Sequence, residues 1–359
     1  MEKVKPIFVE AMHGFSRPVS DLQTELLPLS YGPLKELLQE NVADQYRGLV
    51  KGPRGILTAD TIQTLVRLGI TNIAYVGRHT NNVLPEEFHS ADDNVVCIQT
   101  DRADVFISRI QHSPLSYAVA AYVLGLSRLM YSGQIAAAHH LTISGGNTFS
   151  LRAGHSFIYD EVRGNALFSC LHVVSVGAGD IGSKVIEGFA EGGARVSYIA
   201  QTPKPSGHRF LSSLSDLDTS APVDILTLHL PPGVKASLKT LENIDLFFHT
   251  ASASNIDAEE IVEALSEGRI QRAIVDVFLQ EGDAFAHSVL NPIGNLDDEE
   301  EKLQWKRELD GFIEKGRLLL TPHIAYNEPT MIAKTLQAVL ANLCKLEDIT
   351  SGKLELNTS

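Results

Sequence analysis

Val173-Val-Ser-Val-Gly-Ala-Gly-Asp-Ile-Gly182 joins an apolar run to a glycine loop, and a helical pattern from Ser183 to Glu191 follows at once. The run Val173 to Val176 suits a strand buried on both faces. Gly177 permits a tight turn, Gly179 lets a phosphate come close to the backbone, and Gly182 lets the helix lie tightly on the strand. The N–H groups at a helix start favour an anion, so a nucleotide pyrophosphate fits at this turn. Glycine-rich strand-to-helix turns also serve plain packing, and the loop alone leaves both readings open.

Downstream of the loop, short apolar runs alternate with helical patterns. Strands are expected at Ala194 to Ile199, Asp224 to Leu230, Ile244 to His249, Arg272 to Phe278 and Arg317 to Thr321, the pattern of a parallel sheet wrapped by helices. Asp257 is placed to cap a helix, with Glu260 completing a capping box and Ile261, Val262 and Leu265 on its inner face. Upstream, the first hundred residues repeat the alternation more loosely. Strands are expected near Ile7 to Val9, Gly48 to Val50, Asn72 to Val76 and Asn94 to Ile98, and helices near Pro33 to Gln39 and Ala59 to Leu68.

The stretch Ser116 to Tyr131 is apolar nearly all round and reads as a buried connecting helix. Pro329 to Leu346 is periodic and is expected to return the chain to the first unit. Asp297 to Lys315 reads as an inserted amphipathic helix with an acidic, solvated start and Leu303, Trp305, Leu309, Phe312 and Ile313 as its apolar positions.

The totals bound the function. At 359 residues two domains are expected. A formal net charge of -14 with no offsetting Lys/Arg run argues against nucleic acid as a partner. Cys97, Cys170 and Cys344 have no metal-ligand spacing and form no even disulfide set, so no metal is expected and a reducing compartment is. The start lacks the apolar core of a signal peptide, which fits a cytoplasmic protein. Ala118 to Leu126, the most apolar stretch, is too short to span a bilayer, so no membrane partner is expected.

In open parallel sheets ligands gather beyond the carboxyl ends of strands. In the larger unit those positions are Gly177 to Gly182, Ala200 to Lys204, Thr250 to Ser252, Asp276 to Glu281 and Pro322-His323; in the smaller unit they are Lys51 to Arg54 and Gly77-Arg78-His79. His323 and Glu281 form a natural acid/base pair, because a carboxylate would stabilise and orient a protonated imidazole. Such a pair can give a proton to a carbonyl oxygen as hydride reaches carbon. A turn histidine and a surface glutamate would look the same in isolation.

Val-Gly-Ala-Gly-Asp-Ile-Gly, Leu-His-Leu-Pro at 228–231, Asn-Ile-Asp-Ala-Glu-Glu-Ile-Val-Glu-Ala-Leu from 255, Val-Asp-Val-Phe at 275–278 and Leu-Thr-Pro-His-Ile-Ala from 320 together resemble the D-2-hydroxyacid dehydrogenase family, in order and in spacing. The resemblance covers residues 113–328 closely and the rest loosely. It implies a Rossmann-type doubly wound sheet over 113–327, which binds a nicotinamide dinucleotide. It also implies a smaller flavodoxin-like α/β substrate domain built from 1–112 and 328–359, and a homodimer formed through the nucleotide domains. It further implies a proton-donating His323 supported by Glu281, and Asp276 near the nicotinamide amide. The cofactor-binding set expected is Gly177, Gly179, Asp180, Ile181, Gly182, Thr202, Lys204, Pro231, Thr250 and Asp276.

Four positions depart from the family pattern. Ser252 stands where the family's catalytic arginine would grip a 2-oxo acid. Asp180 replaces a basic residue of the glycine loop and puts a negative charge near a pyrophosphate. Ala200-Gln-Thr-Pro-Lys204 lacks the acid that holds ribose hydroxyls in NAD-specific relatives, and Thr202 with Lys204 could contact a 2'-phosphate, which tilts the cofactor toward NADP over NAD. The substrate loop reads Gly77-Arg78-His79-Thr80, where Arg78 is a candidate for the missing cation and His79 for a substrate contact. The reading reached is a reductase acting on a carbonyl, or the reverse dehydrogenase, with an altered small-molecule pocket. Two alternatives stay open: a nucleotide-binding sensor or assembly protein without turnover, and a dehydrogenase acting on a donor that is not a carboxylate.

Overall fold

The structure, a computed structural model, describes residues 5–10, 29–32, 37–38, 46–51, 57–76, 95–110, 113–131, 168–205, 207–218, 221–231, 233–277, 299–321, 324–351 and 353. The chain divides into one unit of Met1–Leu115 with Asn327–Ser359 and a second of Ser116–Tyr326.

Among the described residues the first unit holds six strands, β1 (Ile7–Glu10), β2 (Leu29–Gly32), β3 (Gly48–Lys51), β4 (Asn72–Tyr75), β5 (Val95–Gln99) and β6 (Asp104–Arg109), in the order β2-β1-β3-β4-β6-β5. Five run parallel, and β5 pairs antiparallel with β6 as a hairpin. Apart from that edge strand the order is the flavodoxin-like one. Side chains alternate between two covering layers, as the two-residue period of a strand requires. Ile7, Val9, Val50 and Ala74 meet Ile332, Leu336, Val339 and Leu343 of the C-terminal helix, Pro329–Thr350. Phe8, Leu49 and Ile73 meet Ile62, Leu65 and Val66 of the helix Ala59–Arg67, which we number α1. Both ends of the chain thus build one sandwich.

The second unit opens with α2 (Leu115–Tyr131) and continues through β7 (His172–Val176), α3 (Asp180–Glu191), β8 (Arg195–Ile199), β9 (Arg209–Leu211), β10 (Val223–Leu228), β11 (Ile244–His249), α4 (Ala258–Ser266), β12 (Ile270–Val275), α5 (Glu299–Glu314) and β13 (Leu318–Leu320). The C-terminal helix is then α6. The seven strands among the described residues are all parallel, in the order β13-β12-β11-β10-β7-β8-β9. That is the doubly wound order, and the direction of winding reverses between β7 and β10. One face carries α2 and α3, with Val185, Ile186 and Phe189 against Val173, Ile225, Leu246 and Ile274. The other carries α4 and α5, with Ile261, Leu265, Leu309 and Phe312 against Val176, Leu226, Phe247 and Val275.

Three local expectations need correction. The helix α2 is buried on one side only: Tyr117, Ala121, Gly125 and Arg128 form an exposed stripe, since alanine, glycine and an arginine stem tolerate water where larger apolar side chains would not. Asp257 occupies the N-cap of α4 without a side-chain capping bond and instead pairs with Lys235 at 2.6 Å. Glu260, expected to close a capping box, is buried and accepts from Ser237 Oγ at 2.6 Å, Lys239 N at 3.0 Å and Leu238 N. The donors of the turn Ser237 to Lys239, whose central Leu238 is buried, outcompete the cap for that carboxylate. On α5, Leu309 and Phe312 enter the core while Ile313 is 42% exposed; the side chains of Leu303 and Trp305 lie outside the described residues.

Candidate active site at the carboxyl edge of the second sheet

The glycine loop leaves β7 at the point where the winding reverses. Gly177 has φ +105°, a region that L side chains rarely adopt, and an added Cβ there would lie 2.4 Å from the His229 carbonyl oxygen. At Gly182 an added Cβ would lie 2.0 Å from the Gly177 carbonyl oxygen, so these two glycines are required by close packing. Among the described residues nothing lies within 4 Å of a Cβ placed on Gly179, the exposed N-cap of α3, which has no side-chain cap bond. Space and helix-start N–H groups therefore coincide where a pyrophosphate would sit, so these residues fit a dinucleotide. Beneath the loop, the buried Ser175 hydroxyl donates to the Gly177 carbonyl at 2.9 Å. Asp180, the doubtful position of this loop, pairs with Lys184 at 2.6 Å, with both side chains 15% exposed.

A polar spine continues across the sheet edge. His229, just past β10, shares hydrogen bonds with Thr227 Oγ1 at 2.7 Å through Nε2 and with Thr250 Oγ1 at 3.3 Å through Nδ1. Burial, and then the neighbouring His249, push its pKa from the ordinary 6.5 down to about 3. His249, at the end of β11, is 1% exposed, and neither of its ring nitrogens has a hydrogen-bond partner among the described residues. Burial lowers its pKa to about 4. Both rings are neutral near pH 7 and add no charge to the edge.

Asp276, just past β12, is 3% exposed and fully engaged. Oδ1 accepts from the Thr321 hydroxyl at 2.6 Å and Ile324 N at 2.9 Å, and Oδ2 from Ala325 N at 3.0 Å. Tyr122 of α2 shares a 2.6 Å hydrogen bond with Thr321 Oγ1, and because the threonine proton goes to Asp276, the phenol is the donor. Burial raises the Tyr122 pKa strongly, with the Asp276 charge adding to the rise, so the phenol stays protonated. One carboxylate thereby fixes the residues on both sides of Pro322-His323.

Ser252 caps a short 3-10 turn, Ala253–Asn255. Its oxygen accepts from Ser254 N at 3.3 Å and lies 2.9 Å from Ser254 Oγ. The buried Asn255 amide donates to the carbonyls of Pro231 and Val234, each at 2.7 Å, and so ties the loop after β10 to the loop after β11. Thr202 and Lys204 are exposed after β8, with the Lys204 N–H donating to the buried Tyr198 hydroxyl at 2.6 Å, while Ala200, at the strand end, is partly exposed. Pro231 is exposed and Ile181 partly so.

The structure thus brings Gly177, Gly182, Pro231, Thr250 and Asp276 to one edge of one sheet. His323, Glu281, Arg78 and His79 lie outside the described residues. Sequence reasoning passed over Ser175, Thr227, His229, His249, Asn255 and Lys184. His229 and Asn255 stood inside quoted motifs, and the i,i+4 spacing of Asp180 and Lys184 was a usable signal. Among the described residues no cluster of three or more His, Cys, Asp or Glu could hold a metal ion, and no helix is long and apolar enough to cross a membrane.

The pattern for the NAD binding domain of D-isomer specific 2-hydroxyacid dehydrogenases matches residues 151–325. An aromatic 2-oxoacid reductase of Clostridium sporogenes is 26% identical over 358 residues, 96% of this chain and 94% of that protein. A D-2-hydroxyacid dehydrogenase (NAD(+)) of Clostridioides difficile is 27% identical over 177 residues, 46% of this chain and 50% of that protein. Among solved structures, the NAD complexed form of a D-isomer specific 2-hydroxyacid dehydrogenase from Lactobacillus delbrueckii ssp. bulgaricus superposes with a TM-score of 0.62 at 16% identity, covering 96% of this chain and 98% of that one. D-2-hydroxyisocaproate dehydrogenase gives 0.62 at 18%, covering 98% of both. These last two likenesses speak to the fold. The glycine loop at the winding reversal and the ordered motifs along the same sheet edge agree with that match, and together they support kinship with the D-isomer specific 2-hydroxyacid dehydrogenases, whose NAD binding domain residues 151–325 resemble.

Proposed function

We propose that the protein is an NAD(P)H-dependent oxidoreductase of the 2-hydroxyacid dehydrogenase type that acts on a bulky 2-oxo acid. The observation that carries this reading is the glycine loop at the reversal between β7 and β10, closed by Gly177 and Gly182 and open at Gly179. When bound, a nicotinamide supplies the hydride for the carbonyl carbon. The chain supplies the proton: His323 is the proposed donor to the carbonyl oxygen, and Glu281 the carboxylate that favours its protonated form. Asp276, whose two oxygens hold Thr321, Ile324 and Ala325, is the proposed anchor of the turn bearing His323.

The substrate assignment has two supports. The relative with near full-length likeness is named an aromatic 2-oxoacid reductase, which favours a ring-bearing substrate here. Ser252, already committed to its own turn, offers no guanidinium to a carboxylate, and Arg78 with His79 are proposed to supply that contact instead. NADP is proposed over NAD, on the grounds of Ala200 at the strand end and exposed Thr202 and Lys204 beyond it. The unit made from both chain ends is proposed as the substrate domain, the protein as a homodimer, and the cytoplasm as its location, in keeping with three exposed free cysteines.

Purified protein with NADPH or NADH and 2-oxo acids from pyruvate to phenylpyruvate tests the whole reading. We expect oxidation of the cofactor with phenylpyruvate, preference for NADPH, little turnover of pyruvate, and a loss of about 100- to 10,000-fold in His323→Ala. Ser252 favours one second reading, a dinucleotide-binding sensor: cofactor binding without oxidation across the panel would establish it in place of the reductase.

A further inference from the structure

We propose that Lys184 is the phosphate-contacting cation of the glycine loop, moved one helical turn into α3 and held at the loop by Asp180. The inference rests on the dinucleotide reading above. Asp180 stands in the first turn of α3, where the helix dipole favours a carboxylate but where that carboxylate also competes with an arriving phosphate. Lys184 resolves the conflict. Its ammonium lies 2.6 Å from Asp180 Oδ1 and donates to the Asp180 carbonyl oxygen at 2.9 Å, so the charge sits at the level of the first turn although its Cα is four residues on. The ring of Tyr117 from α2 holds it from another side, 4.6 Å from ammonium to ring centroid.

This cage has two consequences. The Asp180–Lys184 pair leaves the loop with no net side-chain charge, removing the repulsion that Asp180 alone would impose. It also settles the lysine's conformation before a ligand arrives, so less rotamer entropy is lost when Nζ turns from the carboxylate toward a phosphate. Gly179, with open space around it, leaves that approach unobstructed. An ordinary helix-surface pair of the same spacing would contribute little and would leave dinucleotide affinity untouched.

Titration of the protein with NADPH and NADH, followed by cofactor fluorescence at two salt concentrations, separates these outcomes. Lys184→Gln should weaken binding about tenfold and flatten its salt dependence, while Lys184→Arg should retain most of the affinity. Asp180→Asn removes the carboxylate that competes with a phosphate while the backbone carbonyl of residue 180 and the Tyr117 ring still hold the ammonium, so it should bind more tightly than the unsubstituted protein. Affinity within about twofold in Lys184→Gln with an unchanged salt slope overturns the proposal, as does unchanged affinity in Asp180→Asn, which serves alone if Lys184→Gln fails to fold. Absence of binding in the unsubstituted protein would instead remove the dinucleotide reading, and this inference with it.

Discussion

His249 is the residue with the sharpest energetic consequence. An imidazole buried with no hydrogen-bond partner among the described residues keeps its neutral form in the fold, whereas the unfolded chain takes up a proton near the ordinary value of 6.5. Both His229 and His249 are shifted downward, so the stability they allow is complete above about pH 6.5 and declines as pH falls toward 4. Each imidazole contributes a slope of about 1.4 kcal/mol per pH unit in that window. Urea unfolding at pH 7, 6 and 5 should show the decline, and His249→Asn should flatten it; equal slopes in the two proteins would place the acid sensitivity elsewhere. Gly182→Ala is the second test at this scale. A methyl group 2.0 Å from a carbonyl oxygen cannot be absorbed by rotating a side chain, so we expect about 3 kcal/mol of destabilisation and loss of cofactor binding. Gly177 and Gly182 were readable as glycines that strand-to-helix packing demands. Lys184 was readable only as the partner of an ion pair, because a lysine four residues after an aspartate is ordinary on any helix surface and does not by itself point to a ligand.

At the level of elements, most strands were legible because β-branched runs announce them, and β11 falls at the bounds the periodicity suggests. The strands β2, β6 and β9 escaped. Leu-Ser-Tyr-Gly and Arg-Phe-Leu are too short to show a period, and Asp104 to Arg109 follows so closely on β5 that the two read as one loop-broken segment. Tertiary pairing decides such pieces. The far end of α2 shows another contact no pattern reveals. The Tyr131 hydroxyl lies 2.6 Å from the Asp224 carbonyl and 2.9 Å from Asp245 Oδ2, and Arg272 grips the same carboxylate at 2.6 Å while lying over the tyrosine ring. Three sheet strands and one helix are thereby bolted at the edge opposite the glycine loop. Tyr131→Phe should cost about 1.5 kcal/mol in denaturant unfolding while leaving cofactor affinity alone. A change in affinity would mean that α2 transmits the loss to the loop.

For the molecule as a whole, the parallel sheet of the second unit was the part most open to sequence reading, since α3 and α4 are amphipathic and its strands other than β9 carry apolar runs. The first unit was less so, because its sheet includes an antiparallel edge and is closed by a helix that arrives from the other end of the chain. Oligomeric state belongs to this scale too. The exposed stripe of α2 offers Ala121 and Gly125 with no bulk or charge between them, a surface suited to close approach of a second copy. Sedimentation should show a dimer that Ala121→Glu converts to monomer; a monomeric unsubstituted protein would remove the homodimer from the proposal.

Both termini belong to the first unit, so a mechanical pull applied at the two ends loads that sandwich before any force can reach Ser116–Tyr326. Peeling α6 away would strip the cover from Ile7, Val9 and Val50 at the first yield, before the seven-stranded sheet is loaded.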